Sequence, residues 1–501
     1  MDECRASILL QKKIIVIGGG FGGLAAAVRL AAKGHEVDLF DKRDKLGGRG
    51  YQYHVNGFKF DGGPTVITAP YIFDELFNVA GANRKDYFQF VPLDPFYRLF
   101  DHTGHSFNYR HSHDDAIKEI AKINPDDVNG FTKMVERTVE IFKLFQPYTD
   151  KSADEMKSFF NILPEVLRLG AFRGTHQFVS HYIRNSFLQK ALSFHPLLLG
   201  GSPLNTPSLY TLVMQFEKEW GVHYSVGGTG QVVEGIGRLL QEVGGRIHLN
   251  SEVKRVLLKE RGVNGVELSS GEKVSADIVV CNGDLAYSYM NLFPDARRRK
   301  WSDRVLARKK YSSSLVVVYF GTKKRYLDSK FHHHNIIFGR EYAKLLKQIF
   351  SGKTLPQDLA LYLHMPTFTD ESIAPRGCES FYVLALVPNL GADIQWENVR
   401  EEYKQRIYSF LQEHYLPDLQ QNIIAEHMID PLHFQSTLNS YKGAAFAMQP
   451  TLLQSAYFRP HNKSEEFENL YFVGAGTHPG AGVPAVLSSG KIVAELIDPQ
   501  S

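Results

Sequence analysis

The chain has 501 residues, of which 43% are hydrophobic and 22% charged, and its formal net charge is +3. This composition is typical of a globular protein of two or three domains with a large core. A nearly neutral chain without a long run of lysine or arginine argues against a nucleic-acid partner. Three widely spaced cysteines, Cys4, Cys281 and Cys378, favour a reducing compartment and offer no redox or metal-binding pair.

No segment predicts export or a membrane-spanning helix. Residues 1–12 lack the apolar core of a signal peptide, and no apolar run reaches the roughly 18 residues of a membrane span. We therefore expect a cytoplasmic protein.

Residues 13–41 predict a dinucleotide-binding βαβ unit. An apolar strand leads into a glycine run and an alanine-rich helix. Gly18 turns the chain, Gly20 lets backbone amides approach a pyrophosphate, and Gly23 lets the helix pack closely on the strand. A second strand ends at Asp41, near the spacing of a ligand for the ribose 2′-hydroxyl, which favours NAD or FAD over NADP. The alternative is an ordinary glycine-rich turn.

Residues 42–50 favour FAD over NAD. They contain a second glycine pair, Gly47 and Gly48, followed by Arg49. In FAD oxidoreductases of the amine-oxidase type, Gly-Gly-Arg at this place brings backbone and a guanidinium against the extended cofactor. The fork of donors on Arg49 matches the oxyanions of a diphosphate. A solvated basic loop is the alternative.

The later elements predict an α/β fold with one discontinuous domain. Helical patterns cover 70–80, 114–145 and 159–172, and we find no internal repeat. A second block has a helix from 227 to 244, a strand and its continuation over 246–256, and strands over 265–268 and 277–281. A third has a strand over 469–473 and a helix over 486–496. We predict a Rossmann-like FAD-binding domain (12–81, 225–295 and 466–498), an inserted substrate-binding domain with a mixed sheet (82–130 and 296–465), and a helical, candidate membrane-associating region (131–224).

The glycine-rich turn over 474–484 leads into the last predicted helix. A helix N-terminus carries free amides and a partial positive charge, which would stabilise negative charge on a reduced flavin. A purely structural loop is the alternative.

Aromatic residues make up 12% of the chain, with 34 Phe, 24 Tyr and only 3 Trp. Many lie outside the dinucleotide unit, which fits an apolar ligand cavity. A large aromatic core explains the composition equally well.

Several longer strings carry a family resemblance that covers nearly the whole chain. They lie at residues 60–68, 95–99, 193–201, 219–222, 227–230, 438–443, 455–462 and 473–484. With them the chain resembles the bacterial carotenoid desaturases of the phytoene desaturase type, FAD enzymes of the amine-oxidase-like superfamily. These strings are far more specific than the glycine fingerprint.

The resemblance implies two groups of FAD ligands. The adenosine and diphosphate half would contact Gly18, Gly20, Phe21, Gly22, Gly23, Asp41, Lys42, Gly48 and Arg49, with the backbone of Val253 at the adenine. Residues near the isoalloxazine ring would be Gly63, Pro64, Thr65, Gly474, Gly476, Thr477, Gly482, Val483 and Pro484.

The resemblance also implies a long, colourless isoprenoid substrate such as phytoene. An alkene chain offers no charged group to grip, and burial of a few hundred Å² at about 25 cal/mol per Å² gives several kcal/mol of binding. Our hypothesis is hydride transfer from an allylic carbon to flavin N5, with loss of a neighbouring proton and reoxidation by a quinone or oxygen. Alternatives are a redox-neutral carotenoid isomerase, a saturase, a desaturase of the 30-carbon analogue, or a flavin-free lipid-binding relative, which the intact cofactor motifs disfavour.

No catalytic acid or base is carried over. The resemblance is weakest over 151–175, where relatives often have a charged Phe-Arg-Asp string and this chain has residues 159–162, Phe-Phe-Asn-Ile. His478, in the closing turn, is a weak candidate for proton transfer or a hydrogen bond that holds the loop.

Two further segments are open to more than one interpretation. Residues 332–334 are three contiguous histidines, which do not share one face of a helix or strand, so we expect a solvent loop and no metal site. Residues 159–172, with Arg168, Arg173, Arg184 and Lys190 nearby, predict a surface element that enters one leaflet of a membrane to collect substrate, or else a core helix with a solvated basic face. Because the expected substrate dissolves in lipid, we expect peripheral membrane attachment.

Overall fold

The structure is a computed structural model that describes residues 11–152, 160–294 and 298–499. Its helices are α1 Phe21–Ala32, α2 Pro70–Asn78, α3 His113–Ile123, α4 Val128–Phe145, α5 Leu163–Leu169, α6 Thr175–Tyr182, α7 Ser186–Ala191, α8 Leu212–Trp220, α9 Thr229–Glu242, α10 Leu285–Asn291, α11 Asp303–Arg308, α12 Tyr342–Ser351, α13 Trp396–His414, α14 Leu419–Asn422, α15 Pro431–Ser436 and α16 Val483–Ile497. Its strands are β1 Lys13–Ile17, β2 Glu36–Phe40, β3 Gln52–Val55, β4 Phe58–Asp61, β5 Ile67–Thr68, β6 Phe90–Pro92, β7 Tyr97–Phe100, β8 Ser106–Tyr109, β9 Val222–Ser225, β10 Arg246–His248, β11 Val253–Lys259, β12 Gly262–Leu268, β13 Lys273–Ser275, β14 Ile278–Cys281, β15 Ser314–Thr322, β16 His334–Ile337, β17 Leu361–His364, β18 Glu379–Val387, β19 Ile423–Ile429 and β20 Leu470–Phe472.

A parallel sheet of five strands lies at the centre of the cofactor half. Its order is β10-β2-β1-β14-β20, and its neighbours pair in parallel. Ile14, Ile15 and Val16 of β1 are all buried, because helices α1, α9 and α16 pack on one face and the strands β11 and β12 and helix α10 contribute to the core on the other. The strands come from three separate stretches of sequence, all within the ranges predicted for the FAD-binding domain.

A larger mixed sheet lies in the other half. Its order is β19-β15-β18-β17-β16-β7-β8, antiparallel except where β16 pairs with β7. All nine residues of β15 are buried, since it has neighbours on both edges and packing on both faces. The structure confirms a mixed α/β fold with a mixed sheet, while the exact domain boundaries stay a prediction.

Two predicted elements have different bounds in the structure. The helical pattern over 114–145 is two helices, α3 and α4, separated at Pro125, because proline lacks an amide hydrogen and disfavours helical geometry in the preceding residue. The predicted strand over 246–256 breaks after His248, and the chain turns at Asn250 with φ +52° before β11 enters another sheet.

None of the helices within the described ranges is long and apolar enough to cross a membrane.

Candidate active site

One cavity of about 910 Å³ joins the two halves of the molecule. Among the residues predicted to bind the cofactor, all except Gly23 and Thr477 line it. The glycine fingerprint, the Gly-Gly-Arg segment and the closing turn, which lie far apart in the sequence, therefore meet around one space.

The glycine cradle at the start of α1 has no room for side chains. A Cβ on Gly22 would lie 2.9 Å from the backbone nitrogen of Gly474, and one on Gly23 would lie 2.1 Å from the backbone oxygen of Gly18. Gly18 has φ +98°, where glycine is favoured. Gly20 caps α1, whose first residue, Phe21, is buried. The backbone can therefore approach an anion at the helix N-terminus, as predicted for a diphosphate.

The Asp41 carboxylate stabilises the glycine-rich turn before α1. Its carboxylate accepts hydrogen bonds from the backbone amide of Gly19 at 2.7 Å and from that of Arg43 at 2.9 Å. A carboxylate has about four acceptor positions, so two remain for a ribose hydroxyl. Asp41 thus holds the turn as well as lining the cavity.

Lys42 and Val253, which are predicted to contact the adenosine half of FAD, both line the cavity. The Lys42 ammonium donates to Asn439 Oδ1 at 2.8 Å, and burial lowers the pKa of Lys42. Val253 begins β11 and is buried.

Arg49 has a donor that the described residues leave unsatisfied. Its Nη2 donates to Ser440 Oγ at 2.7 Å, whereas its buried Nε has no hydrogen-bond partner in the described parts of the chain. The buried carboxyl group of Asp284 interacts electrostatically with the Arg49 guanidinium. Burial raises the pKa of Asp284. A free guanidinium donor beside a glycine cradle fits the diphosphate of FAD.

The segment at 61–65 is fixed from several sides. Asp61 accepts from Gln52 Nε2 at 3.0 Å and from the amide of Thr229 at 2.9 Å, and burial raises the pKa of Asp61. The hydroxyls of Thr65 and Tyr362 lie 2.6 Å apart. Gly63, Pro64 and Thr65 all line the cavity, as the resemblance implies.

The closing turn is held by a buried arginine. Arg459 donates to the backbone oxygens of Thr477 and Ala475, at 3.0 and 2.5 Å. The Thr477 hydroxyl donates to the backbone oxygen of Pro460 at 2.8 Å. This side chain therefore stabilises the turn and does not line the cavity. Gly482 caps α16, whose N-terminal residues Val483 and Pro484 line the cavity.

His478 is buried in the same turn and lines the cavity. Its pKa is lowered to about 4, first by burial and then by the positive charge of Arg459. At neutral pH the ring is uncharged and is a weak base, which disfavours it as the acceptor of a substrate proton.

Many apolar side chains also line the cavity, and among them lies a buried carboxylate that the sequence did not indicate. Glu217 lies on α8 among Val213 and Phe216, with 0% of its side chain exposed. Tyr97 donates to Glu217 Oε1 at 2.7 Å, and His195 Nε2 lies 2.9 Å from Oε2. Burial, followed by the charge of Glu217, raises the pKa of Tyr97 well above its ordinary value and keeps it a donor.

No local pattern singles out Glu217. It stands in Glu217-Lys218-Glu219, where an exposed helical surface is the natural interpretation. Its partners come from β7 and from the segment before α8, more than 20 residues away in the sequence. Only tertiary structure brings them together.

The histidine run over 332–334 is not a solvent loop. His333 and His334 are 2% and 0% exposed, and only His332 is half-buried. His334 begins β16, which pairs with strands on both edges inside the mixed sheet, so burial follows from its position. The prediction of exposure was wrong for these two residues. With His364 of the neighbouring strand they form a compact buried group, and burial lowers the pKa of all three well below its ordinary value.

The predicted membrane segment is partly described, since Phe159 lies outside the described residues. Within it, α5 buries Val166 and Leu169. Its other face contributes to what we call the exposed apolar patch: Phe160, Leu163, Leu167, Phe172, Leu452, Leu453 and Phe458. The rings of Phe160 and Tyr457 lie 5.2 Å apart and connect the two segments. Helix α5 therefore has one buried face and one exposed apolar face, and entry into a membrane stays a prediction.

A family model described as flavin containing amine oxidoreductase matches residues 21–498. The chain is 41% identical to a lycopene-forming phytoene desaturase of Pseudescherichia vulneris, over 97% of this chain and 99% of that protein. It is 38% identical to a neurosporene-forming phytoene desaturase of Rhodobacter capsulatus, over 97% and 94%. It is 34% identical to a 4,4'-diapophytoene desaturase of Staphylococcus haemolyticus, over 97% and 98%.

Solved structures share the fold at low sequence identity. An oxidoreductase from Methanosarcina mazei superposes with a TM-score of 0.67 at 16% identity, covering 96% of this chain and 100% of that one. A putrescine oxidase bound to putrescine gives 0.66 at 14% identity, covering 98% and 100%.

Proposed function

Because the chain belongs to the flavin containing amine oxidoreductases and, among them, to the family of the phytoene desaturases, we propose that it is an FAD-dependent desaturase of phytoene in carotenoid biosynthesis. The observation that carries this proposal is one continuous cavity, in which a cradle for a diphosphate opens into a chamber lined by many apolar side chains, with the buried carboxylate of Glu217 among them. Phytoene is preferred over 4,4'-diapophytoene because the relatives named for phytoene are 37–41% identical, against 32–34% for the others.

The cofactor is FAD, and the residues present fit it. Gly18, Gly20 and Gly22 leave the backbone open to the diphosphate, and Arg49 supplies a free donor. Asp41 would take the ribose, and the segments at 63–65 and 474–484 would border the isoalloxazine ring. When bound, FAD supplies the oxidising power by accepting a hydride from the substrate.

The protein's own task is to orient the alkene and take its proton. Each desaturation forms a carbon–carbon double bond as one carbon loses a hydride to the cofactor and its neighbour loses a proton. Glu217 is the proton acceptor in this proposal, since Tyr97 and His195 fix its two oxygens inside the apolar wall. The two electrons then leave the protein to a quinone or oxygen.

The exposed apolar patch supports attachment to a membrane surface. Ala456, between Leu453 and Phe458, lines the cavity, so the patch borders the route by which a lipid-dissolved substrate would enter. Exposed apolar side chains bind the membrane–water interface by burying their surface among the acyl chains of the lipid.

The activity is tested with FAD-loaded protein and phytoene in phosphatidylcholine liposomes, under a quinone without oxygen and separately in air. We expect a coloured product lighter by two hydrogens for each step, and a rate at least tenfold higher than with 4,4'-diapophytoene. A product of unchanged mass would replace the proposal by an isomerase, and faster turnover of the second substrate would reassign the substrate.

Membrane attachment is tested by flotation with liposomes that contain phosphatidylglycerol. The double variant Leu163→Glu, Leu167→Glu should lower the bound fraction at least fivefold. Leu327→Glu is the matched control, since Leu327 is 74% exposed elsewhere on the surface. Equal binding of the double variant and wild type would exclude α5 as the attachment site.

A further inference from the structure

Three histidine side chains meet behind the wall of the cavity. His334 and His364 are direct partners in the antiparallel pair of β16 and β17, and His333 immediately precedes β16. All three are at most 2% exposed. One ring nitrogen of each lies within 4.8 Å of those of the other two.

The outer nitrogens of two of these rings are already engaged. His333 Nδ1 lies 2.6 Å from Thr369 Oγ1, and His334 Nδ1 lies 2.7 Å from the Tyr362 hydroxyl. The Nε2 atoms of His333 and His334 are therefore the ring nitrogens available on the inner side of the histidine group. A hydrogen-bond partner on the far nitrogen, most often a carboxylate, a backbone carbonyl or a water, orients metal-bound histidines, and here two hydroxyls take that place.

Hydrogen bonding alone does not satisfy the inner nitrogens. His333 Nε2 and His364 Nε2 lie 3.0 Å apart, and a single proton between them satisfies both. His334 Nε2 is buried and has no hydrogen-bond partner within the described residues. This nitrogen is therefore available to a ligand, beside the two Nε2 atoms of the other rings.

We propose that His333, His334 and His364 bind one zinc ion through their Nε2 atoms. Three imidazoles with water in the fourth position are an established zinc environment. Tetrahedral geometry with bonds of about 2.0 Å places nitrogens about 3.3 Å apart, so the rings draw together on binding. A buried negative charge lies nearby, because the Asp370 carboxylate accepts from Tyr224, whose ring is 4.7 Å from that of His333.

The site would position the cavity wall. Tyr362 lines the cavity and bridges His334 to Thr65, at 2.7 and 2.6 Å. An ion that fixes the His334 ring also fixes this tyrosine, and it pins β16 to β17. The ion lies behind the wall and takes no part in the transfer of electrons.

The test uses full-length protein purified without a metal-affinity tag. After incubation with Zn²⁺ and removal of excess, we expect one zinc per chain by mass spectrometry and an X-ray absorption spectrum with three imidazoles at about 2.0 Å. Less than one-tenth of an equivalent, or a spectrum with sulfur ligands, would overturn the proposal.

Two variants locate the ion. His364→Ala should lower the zinc content at least tenfold, whereas His332→Ala, in the same histidine run but outside the group, should retain it. The FAD content of each variant reports folding, and if His364→Ala does not fold, the wild-type spectrum decides. Retention of zinc by folded His364→Ala would contradict the site. None of these readouts depends on turnover, so they stand apart from the desaturase activity.

Discussion

The two ends of the cavity bind by opposite means. At the cofactor end, the groups available to the ligand are backbone amides around Gly20 and a few charged side chains such as that of Arg49. The backbone is open there because the positions are glycines, and a larger residue at several of them would clash with its neighbours. At the substrate end, aromatic and aliphatic side chains form the wall, and Glu217 is buried among them. The first arrangement recognises charge and depends on exact backbone geometry. The second recognises length and apolarity, tolerates repacking, and depends on the few polar groups that it contains.

The largest expected effect follows from filling the cradle. In Gly23→Ala the new methyl group would lie 2.1 Å from the Gly18 backbone oxygen, which cannot move without opening the turn. We expect less than about one-tenth of the wild-type flavin after gel filtration, and no activity. Gly262→Ala is the control, since its Cβ would meet nothing closer than 3.5 Å. Normal flavin content in Gly23→Ala would show that the cofactor end is not so constrained.

At the substrate end, Glu217→Gln removes the proton acceptor and keeps its shape. Because general-base catalysis contributes about 10²- to 10⁴-fold, we expect the rate of phytoene conversion to fall by that factor at unchanged flavin content. Glu219→Gln, on the exposed face of the same helix, should convert phytoene normally. A Glu217→Gln rate within twofold of wild type would remove this residue from the chemistry.

Arg49→Met tests the charged contact at the cofactor end. A hydrogen bond to a charged group contributes about 1.5–3 kcal/mol, so we expect FAD to bind roughly ten- to a hundredfold more weakly in calorimetric titration of the apoprotein. Lys45→Met is the control variant, because Lys45 is exposed, and its affinity for FAD should be unchanged. Equal affinity of both variants would place the diphosphate away from Arg49.

The last predicted effect is confined to acid solution. The pKa of His478 is about 4 in the folded protein and about 6.5 when unfolded, so the unfolded state binds more protons between these values. The free energy of unfolding should therefore decrease as the pH falls from 6.5 to 4. His478→Gln should lessen this decrease by about 3 kcal/mol, measured by urea denaturation at pH 7 and pH 4. His105→Gln, at a side chain 77% exposed, is the control. Identical slopes for His478→Gln and wild type would contradict the burial of His478.

The sequence by itself determined the candidate residues for the cofactor end of this protein. A diphosphate site is built from residues close together in the sequence at a strand–helix turn, so Gly18, Gly20 and Arg49 could be predicted as ligands from local order, and the long family strings extended this prediction to the turn at 474–484. The mixed α/β fold could be predicted for the same reason, because strands and helices follow local periodicity.

Only the tertiary structure decided the substrate end and the histidine group. Glu217 is interpreted locally as part of an exposed helix, and it becomes a buried acid because Tyr97 and His195 reach it from other elements. His333 and His334 resemble a polar loop until β16 is placed inside the mixed sheet beside His364. In both cases the meaning of the residue depends on partners distant in the sequence, and burial is a property of the assembled fold.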